Sequence, residues 1–163
     1  MMDLNYIQTP LRNQTIEEQI KDFYLLNNKE RTYQHVLGVA MAAEKLALQY
    51  QEDIRACIVA ALLHDISAVI TPQDMMKIAN ELQWQLDSAE KIYPFLLHQK
   101  ISALIAYEYF QIRNLSILKA IESHTTLRSN PSKLDMIIFI ADKLAWDQPG
   151  EPPFKKNIEM ALN

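Results

Sequence analysis

The sequence predicts an all-α fold, a bundle of about seven to nine helices. Three observations carry that expectation. The 163 residues include only two glycines, too few for the tight turns and bulges of an all-β chain. Apolar residues recur at helical spacing, as in Val36, Val39, Ala43, Leu46 and Ala47. No segment reads convincingly as a strand. The length suits one domain, and a hydrophobic share of 49% supplies a real core. One domain over residues 1–163 is expected, with its core at 29–146 and a short loop and helix at 147–163.

The elements follow in order. Thr15 is an N-cap, with Glu17 and Glu18 in the first turn of a helix reaching about residue 27. A longer helix occupies residues 29–50. Asp53 opens a third, expected to carry "AALLHDISAV" at 60–69. Thr71 and Pro72 launch a helix over 73–82, a cap followed by proline at the first helical position. Pro94 breaks the chain before "FLLHQKISALIAYEYF", a helix to about residue 110. Residues 115–125 form another. Pro131 starts the last strong helix, through "LDMIIFIADKLAW". "DQPGEPPF" is loop and "KKNIEMALN" a short helix.

Bulk properties exclude several classes. The net charge is −4 with no basic block, so neither nucleic acid nor membrane is an expected partner. The single Cys57 forms no internal disulfide and reads as a small core residue. The longest apolar run, 56–63, is far too short to span a bilayer. The N-terminus shows no signal pattern. A soluble, reducing, cytoplasmic setting is expected, and a homodimer is compatible with the chain.

The four histidines, His35, His64, His98 and His124, all lie in or at the ends of expected helices, beside apolar or small neighbours. Gly38, Val39 and Ala42 leave room beside His35, and His64 follows Ala60 and Ala61 by one turn. Two carboxylates, Asp65 and Asp142, share the inward placement. Each histidine alone reads as a hydrogen-bonded core residue. Together, six such groups make a poor core unless a cation shares them. The set exceeds one tetrahedral ion and suits two octahedral ions bridged by a carboxylate and a water. Imidazole-rich ligands point to divalent transition metals: iron, manganese, zinc, nickel or cobalt. Iron or manganese is preferred, because open positions are needed for substrate and water.

The order H…HD…H…H…D resembles the HD-domain metal-dependent phosphohydrolases in their two-metal form. Within them it is most similar to the YqeK family of symmetrical diadenosine tetraphosphate hydrolases. The stretches that carry the resemblance are "RTYQHVLGVAMAAEKLA", "AALLHDIS", "LLHQKISALIAYEYFQI", "ILKAIESHTT" and "LDMIIFIADK". The resemblance implies an HD-type helical bundle. It implies that His35, His64, Asp65 and Asp142 hold one metal and His98 and His124 the second, with Asp65 bridging. It also implies iron, a nucleotide substrate, and cleavage of a dinucleoside polyphosphate into two nucleoside diphosphates. His64 and Asp65 would form the catalytic centre, since two cations activate a bridging water and hold phosphorus in line with it.

Four positions depart from the family pattern. Ala68 stands where a lysine is usual, Leu127 where "HTTG" has glycine, and Ala145 and Trp146 where "ADxIEP" has glutamate and proline. Arg128, Lys100 or Lys143 would have to supply the missing cation. Arg128, Thr125 and Lys100 are therefore the candidate substrate-binding residues. Each has a plainer reading: Arg128 a solvated loop charge, Thr125 and Thr126 helix-end caps. Trp146 and Phe154 are either a wall for a base or local packing. Two functions stay open, a working phosphohydrolase and a weakly active HD module that binds metal and nucleotide as a sensor. A helical domain with satisfied core histidines is the third possibility.

Overall fold

A computed structural model describes residues 7–10, 14–147 and 149–162. Residues 1–6 and 11–13 in the expected N-terminal stretch, Gln148 in the expected loop and Asn163 at the end of the expected last helix lie outside them. The described residues form nine α-helices and two short 3-10 turns, and no strand. In order these are α1 (Ile16–Leu26), α2 (Glu30–Tyr50), α3 (Ile54–Leu63), a 3-10 turn (Ile66–Val69), α4 (Pro72–Glu81), α5 (Ser88–Ile92), a second 3-10 turn (Pro94–Leu97), α6 (His98–Glu108), α7 (Leu115–Glu122), α8 (Lys133–Leu144) and α9 (Lys155–Leu162).

The caps predicted from sequence are formed. Thr15 and Glu18 make a reciprocal capping box, Asp53 accepts from the Ala56 amide, and Thr71 accepts from the Asp74 amide. The helix α5 is an addition to the expected set. Asp87 and Glu90 cap each other around it. Only Glu90 in it is buried, so so short a segment offers no apolar periodicity to read.

Beyond the exposed Arg55 in its first turn, helix α3 is apolar, and Ala56, Cys57, Val59, Ala60, Ala61, Leu62 and Leu63 are all buried. A helix without a polar face has to lie inside the bundle. Helix α2 packs along it on one side and α7, α8 and α6 on others. Leu63 in it and Ile101, Ile121 and Ile138 around it are fully buried, each worth about 1.5–3 kcal/mol of burial. Cys57 is buried among them, as expected. Burial, with the Glu52 and Asp53 carboxylates, pushes its thiol up to about 12, so it is inert. No single helix among the described residues is long and apolar enough to cross a bilayer.

Candidate metal centre

Six side chains from five segments converge beside the inner end of α3. His35 comes from α2, His64 and Asp65 from the end of α3, and His98 from the start of α6. His124 lies just past α7, and Asp142 comes from α8. His35 Nε2 lies 3.2 Å from Asp142 Oδ1, and His64 Nε2 lies 3.7 Å from the same oxygen. Asp65 faces both halves of the cluster. Its Oδ2 is 3.6 Å from His64 Nε2, while its Oδ1 is 3.4 Å from His124 Nε2 and 3.8 Å from His98 Nε2. Two groups therefore have the reach to hold a metal ion: His35, His64 and Asp142, and His64, Asp65 and His124.

The expectation that the third helix carries His64 and Asp65 through to Val69 is corrected. The helix stops at Leu63. Neighbours on an α-helix point about 100° apart and do not meet at one spot. The break removes that divergence. Asp65 leaves the helix at φ −110° and ψ 21°, and its carbonyl accepts from the Ala68 amide to start the 3-10 turn. Buried hydroxyls fix the turn against α6. Ser67 Oγ donates to the His98 carbonyl at 2.9 Å, and Ser102 Oγ donates to Ser67 Oγ at 2.9 Å. The buried Tyr24 hydroxyl donates to the Leu62 carbonyl at 3.3 Å at the helix end.

Three of the imidazoles are oriented by one device. His64, His98 and His124 each place Nδ1 2.7 Å from the carbonyl three residues earlier, at Ala61, Phe95 and Ile121. A carbonyl only accepts, so each Nδ1 carries a proton, and each Nε2 is the ring atom turned toward the centre. Such outer hydrogen bonds are what orient metal-ligating histidines.

That arrangement leaves a deficit which a cation removes. His64 Nε2 is buried with no hydrogen-bond partner. His98 Nε2 and His124 Nε2 stand only 3.0 Å apart. Burial raises the Asp65 carboxyl, but His64 and His124 outweigh it and hold it well below the usual carboxylate range. Burial likewise raises Asp142, and its bonds to His35, His64 and Lys143 hold it well below that range. Burial pulls His64 down, yet Asp65 and Asp142 lift it to about 9. Burial and neighbouring His124 pull His98 down to about 4. Ionised carboxylates among imidazole lone pairs are a donor set suited to divalent transition metals.

The other expected residues divide. Thr125 is at the centre, with Oγ1 3.1 Å from His98 Nε2. Lys143 is beside it, with Nζ 2.6 Å from Asp142 Oδ2. Trp146 and Phe154 meet edge to face, ring centroids 5.7 Å apart. Together with Arg31, His35, Asp65 and Asp142 they line a cavity of about 450 Å³. Arg128 is drawn elsewhere: although exposed, its Nη2 lies 2.6 Å from Oδ2 of the fully buried Asp135. Lys100 is paired as well. Its Nζ lies 2.6 Å from Glu90 Oε1, and it lines a different depression beside Trp84 and Leu104. Each cation is drawn to an acidic group that the fold buries.

Sequence reasoning missed Gln99. Its Oε1 accepts from the Thr125 amide at 2.8 Å and the Thr126 amide at 3.1 Å, which fixes the turn carrying His124. Its place beside His98 was the available signal. In the same turn Leu127 sits at φ +50°, the left-handed region that favours glycine.

A family model described as HD domain matches residues 32–147, a span that contains all six converging side chains. The chain belongs to the HD domain family. This HD domain is 41% identical over 105 residues to an uncharacterized protein in the pepC 5' region of Lactococcus lactis subsp. cremoris. That match covers 64% of the chain and 54% of the relative, so the chain spans about half of that protein's length. It is 36% identical over 137 residues to a symmetrical bis(5'-nucleosyl)-tetraphosphatase of Halalkalibacterium halodurans, covering 82% of the chain and 72% of the relative. It superposes with TM-score 0.81 at 30% identity on the crystal structure of a "predicted HD superfamily hydrolase involved in NAD metabolism" from Clostridium acetobutylicum, covering 90% of this chain and 78% of that one.

Proposed function

We propose that this HD domain is a metal-dependent phosphohydrolase that cleaves a phosphoanhydride bond of a dinucleoside polyphosphate, with diadenosine tetraphosphate the leading substrate and two nucleoside diphosphates the products. One observation carries the reading: the two oxygens of Asp65 face two separate groups of ligand atoms. The similarity to a symmetrical bis(5'-nucleosyl)-tetraphosphatase supports the substrate. His35, His64, Asp65 and Asp142 would hold one divalent ion and His98, His124 and Asp65 the other, with iron the preferred metal. When bound, the pair supplies Lewis acidity and a water acidic enough to attack phosphorus near neutral pH.

The chain's own groups do the rest. The carbonyls of Ala61, Phe95 and Ile121 keep three Nε2 atoms aimed inward. Lys143 holds Asp142 in place and puts positive charge at the cavity, where polyphosphate arrives. The Thr125 hydroxyl stands close enough to His98 to donate to a phosphate oxygen held there. No side-chain nucleophile is required, and buried Cys57 offers none.

The second reading is a metal- and nucleotide-binding sensor with little turnover. The pairing of Arg128 and Lys100 with buried acids favours it, since neither replaces the lysine absent at Ala68. Metal analysis of protein purified without chelator tests both readings. Absence of transition metal, with no uptake on reconstitution, overturns both. With metal present, cleavage of diadenosine tetraphosphate within a panel of dinucleoside polyphosphates, mononucleotides and guanosine polyphosphates supports the hydrolase. Binding without cleavage supports the sensor.

A further inference from the structure

Beside the metal centre a second depression of about 650 Å³ runs between α2 and the end of α8. It shares Arg31, His35, Trp146 and Asp147 with the cavity that holds His35, Asp65 and Asp142, so the two adjoin. Their chemistry differs. The cavity carries Asp65, Asp142 and Lys143. The groove is walled by Gly38, Met41, Ala42, Leu144, Ala145 and Trp146. The small Gly38 and Ala145 let α2 and the end of α8 approach closely at one wall of the groove: a methyl group at Gly38 would stand 3.7 Å from the Ala145 Cβ, in ordinary contact. Any longer side chain there has to reach into the groove. The Trp146 ring is held as a wall by its Nε1 donating to the Gly150 carbonyl at 3.0 Å and by the edge contact with Phe154.

We infer that this groove is the subsite for one nucleoside of the substrate, with the base against Trp146 and the phosphates leading past Arg31 to the metal ligands. The inference rests on the proposed nucleotide chemistry and assigns it a direction. The volume falls within the range of about 300–1,000 Å³ usual for small-molecule sites. A flat, weakly polar base stacks on an aromatic wall without needing a fixed set of hydrogen-bond partners. The cationic Arg31 side chain, largely exposed at the junction, stands where the sugar gives way to phosphate. A protein partner does not suit a short groove that ends in the metal centre.

The test compares ADP with pyrophosphate on manganese-loaded protein by calorimetry, for the wild type and for Gly38→Leu and Ala42→Leu, which fill the groove from two positions. Thermal melting and metal content establish that each variant is folded and loaded. The expected result is ADP binding weakened about tenfold or more in both variants, the usual scale for a blocked apolar pocket, with pyrophosphate affinity unchanged. Equal ADP affinity in folded variants and wild type overturns the subsite. A parallel loss of pyrophosphate affinity overturns it too, because the damage would then lie at the metal centre. Wild-type protein that cleaves dinucleoside polyphosphates while its variants bind ADP normally leaves the proposed function standing and removes only the subsite. Wild-type protein that binds ADP through the groove yet cleaves nothing removes the hydrolase and keeps the subsite.

Discussion

His98 and His124 bring their Nε2 atoms to 3.0 Å of each other while both Nδ1 atoms face backbone carbonyls at 2.7 Å. Two ring nitrogens at that distance need a cation or a proton between them. Asp65 Oδ1 stands 3.4 Å and 3.8 Å from the same two nitrogens. A divalent ion satisfies all three atoms, and this relation makes the ligand set directly testable. Wild-type protein is expected to carry about two divalent ions per chain. His98→Ala should retain about one, and Asp65→Ala close to none, with hydrolysis lost in parallel. Elemental analysis of chelator-free protein reads these values, and Asp65→Ala that keeps both ions would sink the bridging role.

Metal binding should release protons. In the metal-free protein the carboxylates of Asp65 and Asp142 lift His64 to about 9, so it is protonated at neutral pH. A metal needs the Nε2 lone pair and displaces that proton. Asp65 and Asp142 are held below the usual carboxylate range and His98 falls to about 4, so these three release none near neutrality. Through His64, apparent affinity therefore rises with pH up to about 9 and levels above it. Calorimetry in buffers of different ionisation enthalpy at pH 7 should count about one proton from His64. No buffer dependence at that pH would contradict the assignment.

Arg128 should matter for stability and not for catalysis. It is half-exposed, but it is bound to the fully buried Asp135, whose Oδ2 also accepts from the Ser132 amide at 2.7 Å. Arg128→Ala leaves that carboxylate short of a donor, at a cost of about 1–3 kcal/mol. Chemical denaturation measures the loss. The KM for nucleotide should not move, and a raised KM in a folded variant would return Arg128 to the substrate site.

Leu127 carries strain instead. Its φ of +50° is costly for a branched side chain, by about 1–2 kcal/mol relative to a residue free to adopt it. Leu127→Gly removes that strain and gives up only a half-buried side chain. The backbone entropy of glycine and the lost burial offset most of that relief, so the midpoint is expected to stay within about 2–4 °C of wild type, where a leucine removed from an unstrained site would lower it further. Scanning calorimetry at fixed metal load reads it, because ligand occupancy shifts the midpoint on its own.

The helical class and the six converging residues were legible in the chain. Caps such as Thr15, Asp53 and Thr71 act within one turn, and the spacing of Val36, Val39 and Ala43 marks a face without any knowledge of what covers it. The histidines showed themselves by their apolar neighbours. Other features were hidden because their causes lie far along the chain. The apolar run through "AALLHDISAV" looks like one helix, and its break at Leu63 is stabilised by Ser102 and the His98 carbonyl, more than thirty residues away. Lys100 and Arg128 read as available cations until folding buries Glu90 and Asp135 against them.

The sequence by itself determined which chemistry the chain carries: imidazoles and carboxylates placed on inward helical faces, where local periodicity and the cost of burying charge make them stand out. Only the tertiary structure decided how they meet. It turned Asp65 to face two ligand groups, set His98 against His124, and formed the groove lined by Gly38 and Ala145. Those relations depend on distances between segments from across the chain, which the packing of α2, α6, α7 and α8 around α3 sets and which no local pattern encodes.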